Sequence, residues 1–255
     1  MPTTIGTRAV GVLRIVTWNV HACIGGDARV STRRVAEALS ALEADVIALQ
    51  EIDVGRARTG GANQLAELAS ALDMDARFSR AMRRHDGDYG IGMLTRLEVI
   101  AEETRSLPRP GLPFVEPRVA LLLRLRHPRG LLCVVNTHLG LIPYERLRQV
   151  RALLPWLTAL RADGPTVLCG DLNASPRASE CRLLDPVLPD AFGDGVEGCT
   201  FPVKLPMSRL DHIRASPDLE RVAVAIPRTP LTCLASDHFP VVADFRLSSS
   251  QVLTR

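Results

Sequence analysis

The chain has 255 residues, enough for one large domain or two small ones with a substantial core. Its 46% hydrophobic and 23% charged residues are ordinary for a globular protein and exclude a disordered or fibrous chain. The net charge of +3 is too mild to argue for nucleic-acid binding by itself. Lys204 is the only lysine, so basic charge rests on arginine, whose planar fork suits phosphate. Codon usage in an Ala- and Arg-rich genome is the better explanation of that bias. The six cysteines show no Cys-x-x-Cys pair, which argues against a zinc cluster. Cys133 and Cys169 sit in apolar runs and read as buried small hydrophobes. Residues 1–11 lack the apolar segment of a signal peptide, and no stretch reaches membrane-spanning length. A cytoplasmic setting and a monomer are expected.

In chain order, residues 12–20 predict a strand ending in Trp18-Asn19-Val20-His21. A helix follows to Glu43, capped by Ser31 or Thr32, with Val35, Leu39 and Leu42 at helical spacing. Residues 45–49 predict a second buried strand that terminates in Gln50-Glu51, and 62–72 a helix burying Leu65, Leu68 and Leu72. Residues 76–82 and 89–95 read as strands joined by a charged loop from Arg83 to Asp88, with a further strand at 97–104. The four prolines between Ser106 and Pro117 impose an irregular segment. Residues 118–126 and 131–136 predict a hairpin whose second strand leads into Asn136-Thr137-His138. Pro143 suits the first position of a helix to Leu160, disturbed at Pro155. The strand from Thr166 stops at Gly170 and delivers Asp171 and Asn173, which share one side of an extended backbone. A helix near 177–184, a short strand at 208–213 carrying Asp211, a strand at 221–226 and a last one at 241–245 complete the pattern. Helices alternating with apolar strands predict a single α/β domain with mixed sheets.

The polar residues that close these strands are Asn19, Glu51, His138, Asp171, Asn173, Asp211, Asp237 and His238. Each has a plain alternative: Gly-Asp-x-Asn also makes an ordinary turn, and a lone carboxylate is usually solvated. Five apolar runs ending in a carboxylate, amide or imidazole are harder to dismiss, because ligand sites in layered α/β folds lie beyond strand ends. The set is rich in oxygen and poor in thiol, which favours Mg²⁺ or Mn²⁺ over zinc. With histidines for proton transfer or charge stabilisation, it suits hydrolysis of a phosphate ester. No Gly-x-Ser-x-Gly elbow is present, which argues against acyl transfer.

Thr17-Trp18-Asn19-Val20-His21, Gln50-Glu51, Asn136-Thr137-His138-Leu139, Gly170-Asp171-Leu172-Asn173, Arg209-Leu210-Asp211-His212-Ile213 and Ser236-Asp237-His238 resemble, in order, the motifs of the endonuclease/exonuclease/phosphatase superfamily. The resemblance spans residues 12–246, leaving short tails at 1–11 and 247–255. It implies a deoxyribonuclease-like four-layer α/β/β/α sandwich of two mixed sheets, with the active site at one edge. It also implies roles: Glu51 as principal Mg²⁺ ligand with Asn19 beside it, and Asp237 holding metal or the local hydrogen bonds. Asp171 would position or deprotonate water, Asn173 would orient it, and His138 would donate to a phosphate oxygen. His238 would pair with Asp211 as base or transition-state donor, and Arg118 and His21 are weaker candidate phosphate contacts. Abasic-site endonucleases carry aspartate where His21 stands and tyrosine where His138 stands. The chain is therefore nearer the deoxyribonuclease, sphingomyelinase and bacterial phosphodiesterase branches. The substrate is expected to be a phosphodiester in nucleic acid, a lipid head group or a small molecule, with a non-catalytic phosphate-binding scaffold as the remaining reading. The variable loops expected to choose it are 83–89, 106–117 and 193–207.

Overall fold

The computed structural model describes residues 11–112, 114–193 and 198–247. The expected tails fall outside these residues except for Gly11 and Leu247, as do positions 113 and 194–197 of the expected substrate loops. Eleven strands and five helices follow in the order β1 (Leu13–Asn19), α1 (Thr32–Ser40), β2 (Val46–Val54), α2 (Gln64–Leu72), β3 (Asp75–Arg84), β4 (Gly87–Thr95), β5 (Glu98–Ser106), β6 (Val119–His127), β7 (Gly130–His138), α3 (Pro143–Asp163), β8 (Thr166–Asp171), α4 (Ser179–Arg182), β9 (Asp211–Ala215), β10 (Leu219–Ala225), α5 (Pro230–Ala235) and β11 (Val241–Leu247).

They form two sheets, β10-β11-β1-β2-β4-β3 and β5-β6-β7-β8-β9. Each is mixed: β1–β2 and β7–β8 are the parallel pairs, and the remaining neighbours are antiparallel. The sheets pack face to face, and alternation assigns every central strand two buried faces. On β1, Leu13 and Ile15 turn inward to meet Leu121, Leu123, Val134 and Val167 of the second sheet. Val16 and Trp18 turn outward beneath Val35, Leu39, Leu65 and Leu68 of α1 and α2. Leu122, Val135 and Leu168 similarly lie under Val150, Leu153, Leu157 and Leu160 of α3. The result is the α/β/β/α sandwich, a single domain.

The expected Ser31 cap opens α1, and Asn63, which the sequence pattern did not single out, opens α2. Ser31 accepts from the Arg34 N–H and Asn63 from the Ala66 N–H. α3 continues through Pro155 to Asp163, so the expected disturbance does not end it. Two expectations change more. The helix near 177–184 is a single turn, Ser179–Arg182. α5, closed by a Thr229–Thr232 capping box, escaped notice because its apolar residues follow no long helical period.

The parallel pairs explain the position of the candidate site. Register sets Asn19 opposite Gln50 on β1–β2 and His138 opposite Asp171 on β7–β8. Antiparallel β9 then starts with Asp211 opposite Asp171. Three strand ends, the middle of β2 and one strand start therefore reach the same edge of the sandwich. Just beneath it, Asn136 ties the sheets together: its Oδ1 accepts from Gln50 Nε2 at 2.7 Å, and its Nδ2 donates to the carbonyls of Leu49 and Gly92.

Gly170 sits at φ 142°, and a Cβ there would collide with the Thr137 carbonyl oxygen on β7. Gly170→Ala is expected to cost about 1–3 kcal/mol by overpacking. Chemical denaturation measures this, and an unchanged midpoint would contradict it.

Candidate active site

Glu51 corrects one expectation about the site. β2 does not terminate there but continues to Val54, with the register to β4 broken between Leu49 and Ile52. Glu51 occupies the resulting bulge at φ 59°, a conformation costly for a residue with a Cβ. The bulge re-aims its side chain toward the cavity at the sheet edge. Asn173 at φ 50° makes a corresponding left-handed turn after β8, and His21, Ala22 and Cys23 form a left-handed run after β1. Backbone strain therefore concentrates around the same group of side chains.

The Asn19 amide lies between two of the carboxylates, donating from Nδ2 to Glu51 Oε1 and to Asp171 Oδ2, both at 3.0 Å. Its own oxygen accepts the His21 N–H. Asp171 is buried, and its other oxygen accepts the Asn173 N–H at 2.8 Å. Burial raises the Asp171 carboxyl above the ordinary range to about 7, and the Asp211 charge adds to the effect.

The two histidines that face Asp171 differ in charge. His138 is buried and held well below its usual value by desolvation, then by the Arg118 and His238 charges. Arg118 Nη1 lies 3.1 Å from His138 Nδ1. A guanidinium can only donate, so Nδ1 accepts and the neutral ring keeps its proton on Nε2. That Nε2 points at Asp171 Oδ2, 3.6 Å away. Asn173 Nδ2, also 3.1 Å from Nε2, donates to the Leu139 carbonyl. His238 is the opposite case: burial disfavours its charge, but the Asp211 carboxylate outweighs this and lifts it to about 10. Its Nδ1 is 2.8 Å from Asp211 Oδ2, and its Nε2 lies 3.8 Å from Asp171 Oδ2. Three contacts fix the His238 segment. The Trp18 indole donates to its carbonyl, Ser236 Oγ accepts its N–H, and Phe201 packs 4.6 Å from its ring. At neutral pH, a neutral imidazole and an imidazolium thus each aim Nε2 at one buried carboxylate.

Asp171, Asp211 and His238 offer ligand atoms within 4.8 Å of one another and could hold a metal ion. Two of these residues, His238 and Asp211, are already paired with each other. Glu51, only half-buried on the cavity wall, is the more open carboxylate. Asp237 lines the same cavity with its Oδ1 3.9 Å from His21 Nδ1. Arg118 is not a solvated surface arginine: it is 6% exposed, beneath His138 and 3.4 Å from Glu116.

The whole expected set except Asp211 lines one cavity of about 630 Å³, and Asp211 stands directly behind His238. The cavity also includes residues that the strand-end pattern could not show, among them Arg56, Arg58, Arg84, His85 and Tyr89. Of these, Arg84, His85 and Tyr89 come from the charged segment expected to be a substrate loop. It proves to be a tight hairpin in which Arg84 pairs with Gly87.

The pattern of the Endonuclease/Exonuclease/phosphatase family matches residues 16–238. The chain belongs to that family. Its members are in general metal-dependent phosphoester hydrolases. The uncharacterized protein YbhP of Escherichia coli strain K12 is 25% identical over 249 residues, covering 92% of this chain and 96% of YbhP. An endonuclease/exonuclease/phosphatase structure from Beutenbergia cavernae superimposes with a TM-score of 0.77 at 23% identity, covering 93% of this chain and 72% of that one. The human Nocturnin catalytic domain with bound sulfate gives 0.76 at 23% identity, covering 93% and 95%. These structures share the fold. Among the described residues no helix is long and apolar enough to cross a membrane.

Proposed function

We propose that this protein is a Mg²⁺- or Mn²⁺-dependent phosphodiesterase that hydrolyses its substrate by attack of water. One observation carries the reading: buried Asp171 is flanked by two imidazole Nε2 atoms in opposite charge states and bridged by Asn19 to Glu51.

The donor set fits a hard divalent cation. It consists of carboxylate oxygens on the cavity wall, and no cysteine lines the cavity. Glu51 and Asp237 are the residues that would hold the ion, with Asn19 beside them. Bound there, such an ion would screen phosphate charge and acidify a water molecule. The chain's own groups do the rest. Asp171 accepts the proton of the attacking water, which its raised pKa favours near neutrality. Asn173 orients that water from the left-handed turn. His138 donates from Nε2 to a non-bridging oxygen, backed by Arg118. The His238 imidazolium, oriented by Asp211, stabilises the negative charge that grows at phosphorus. A cavity of about 630 Å³ is far larger than one phosphate needs and leaves room for a substituent on each side of it, which favours a diester.

Turnover of bis-p-nitrophenyl phosphate tests the reading. EDTA is expected to abolish it by at least about 100-fold, and Mg²⁺ or Mn²⁺ to restore it. Full activity in EDTA would overturn the proposal.

A further inference from the structure

The cavity carries charge of both signs. Glu51, Asp171 and Asp237 line it from the strand ends, while Arg56, Arg58, Arg84 and His85 line the wall supplied by the β3–β4 hairpin and the loop after β2. Asp86 at the hairpin tip joins these two segments. One of its oxygens accepts the Ala57 N–H at 3.0 Å, and the other lies 2.9 Å from Arg56 Nε. The first of these bonds, with Arg56 beside it, outweighs desolvation and holds the Asp86 carboxyl below its ordinary range. Gly87, at φ 143°, allows the close approach, because a Cβ there would strike the Val54 carbonyl.

Local acids neutralise only part of this wall. Asp86 pairs with Arg56, and Asp53 takes Arg58 in two bonds of 2.7 and 2.9 Å. Asp88 is occupied by Arg80 and Arg83. Arg84 and His85 are exposed at the turn, and no ion pair engages either among the described residues. The turn thus presents an uncompensated guanidinium and an imidazole to the same cavity that Asp171, His138 and His238 line. A substrate with a single phosphate would leave this charge unused.

We infer that Arg84 and His85, supported by Arg56 and Arg58, form a subsite for a second phosphate group of the substrate. The inference rests on the phosphodiesterase reading of the cavity and adds a substrate class: molecules with two phosphates. The second one belongs either to a compact bisphosphorylated molecule or to the next unit of a nucleotide chain. An arginine fork engages two phosphate oxygens at once, and the neighbouring imidazole can donate to a third.

Calorimetric binding of thymidine 5′-monophosphate and thymidine 3′,5′-bisphosphate, in EDTA and again with Mg²⁺, reads the subsite without turnover. The bisphosphate is expected to bind about tenfold tighter or better. Arg84→Ala and His85→Ala should each erode that preference and the double variant remove it. Arg126→Ala, at the opposite end of β6 from Arg118, should keep it. Equal affinities, no binding by either ligand, or a preference that survives the double variant would overturn the subsite. Loss of bis-p-nitrophenyl phosphate turnover would instead count against the phosphodiesterase reading alone. Phosphorylated thymidylates of increasing length separate the two sources. Affinity that levels off at two phosphates marks a compact molecule, and affinity that climbs with length and becomes steeply salt-dependent marks a nucleotide chain.

Discussion

Asp171→Asn is expected to lower kcat/KM on bis-p-nitrophenyl phosphate by about 10³-fold or more while raising the thermal midpoint of the metal-free protein. The loss follows from position. The carboxylate accepts from Asn19 and Asn173 through its two oxygens and faces both imidazole Nε2 atoms, so an amide of the same shape fills the site but keeps one acceptor and cannot take a proton. The gain in stability follows from burial. A carboxyl whose folded pKa is raised to about 7 by desolvation binds its proton more tightly in the folded state than in the unfolded chain. The folded protein therefore carries the extra proton between the unfolded value near 4 and about 7, and stability falls as pH rises across that window. Asparagine removes this cost, so the benefit is absent at low pH and full above about 7. Each kcal/mol gained moves the midpoint by about 2–4 °C at this size. Unfolding scans in EDTA at two pH values, beside steady-state kinetics with Mg²⁺, measure both effects. Retained turnover, or a variant less stable than the parent at pH 8, would sink the assignment.

That opposition between stability and function explains what the sequence disclosed and what it withheld. The strand ends were legible because β1, β2, β7 and β8 are apolar runs broken by single polar residues, and sheet geometry sends such residues to one edge. Asp211 and His238, 27 positions apart, were legible as a pair only through resemblance, because their bond depends on the start of β9 meeting the segment before β11. Glu51 was read as a strand terminus because a bulge leaves no mark in residue type: Gln50-Glu51-Ile52 carries no glycine, yet Glu51 takes a positive φ. Arg118 looked like a surface arginine because its partners, His138 and Glu116, depend on how the proline-rich loop packs. The basic wall was hidden for a similar reason. Arg56 and Arg58 lie about thirty residues from Arg84 and His85 in the chain, and only Asp86 makes them one surface. Local chemistry was readable, whereas charge assembled across loops was not.

The second large effect belongs to Asp211, which reaches the reaction through His238. In the parent protein, activity that needs the His238 imidazolium should persist through neutral pH and fall only as pH rises through about 10. Two forces set that value: burial pushes the imidazole toward neutrality, and Asp211, 2.8 Å from Nδ1, is the chief force against it. Asp211→Asn removes the opposing charge and leaves burial in place, so the imidazolium is lost at much lower pH. The basic limb of the pH–rate profile is therefore expected to move down by several units, and kcat/KM at pH 8 to drop by about 10²–10³-fold. His238→Ala should lose at least as much activity but show no such limb. This contrast separates a positioning role from mere structural support. A generally weakened protein would lose activity evenly across pH, whereas loss of the Asp211 charge predicts a basic limb that falls at lower pH in the variant than in the parent. NMR titration of the His238 ring in both proteins gives the same answer without turnover. An unchanged titration midpoint in Asp211→Asn would show that burial and Asp171, rather than the Asp211 carboxylate, govern this histidine.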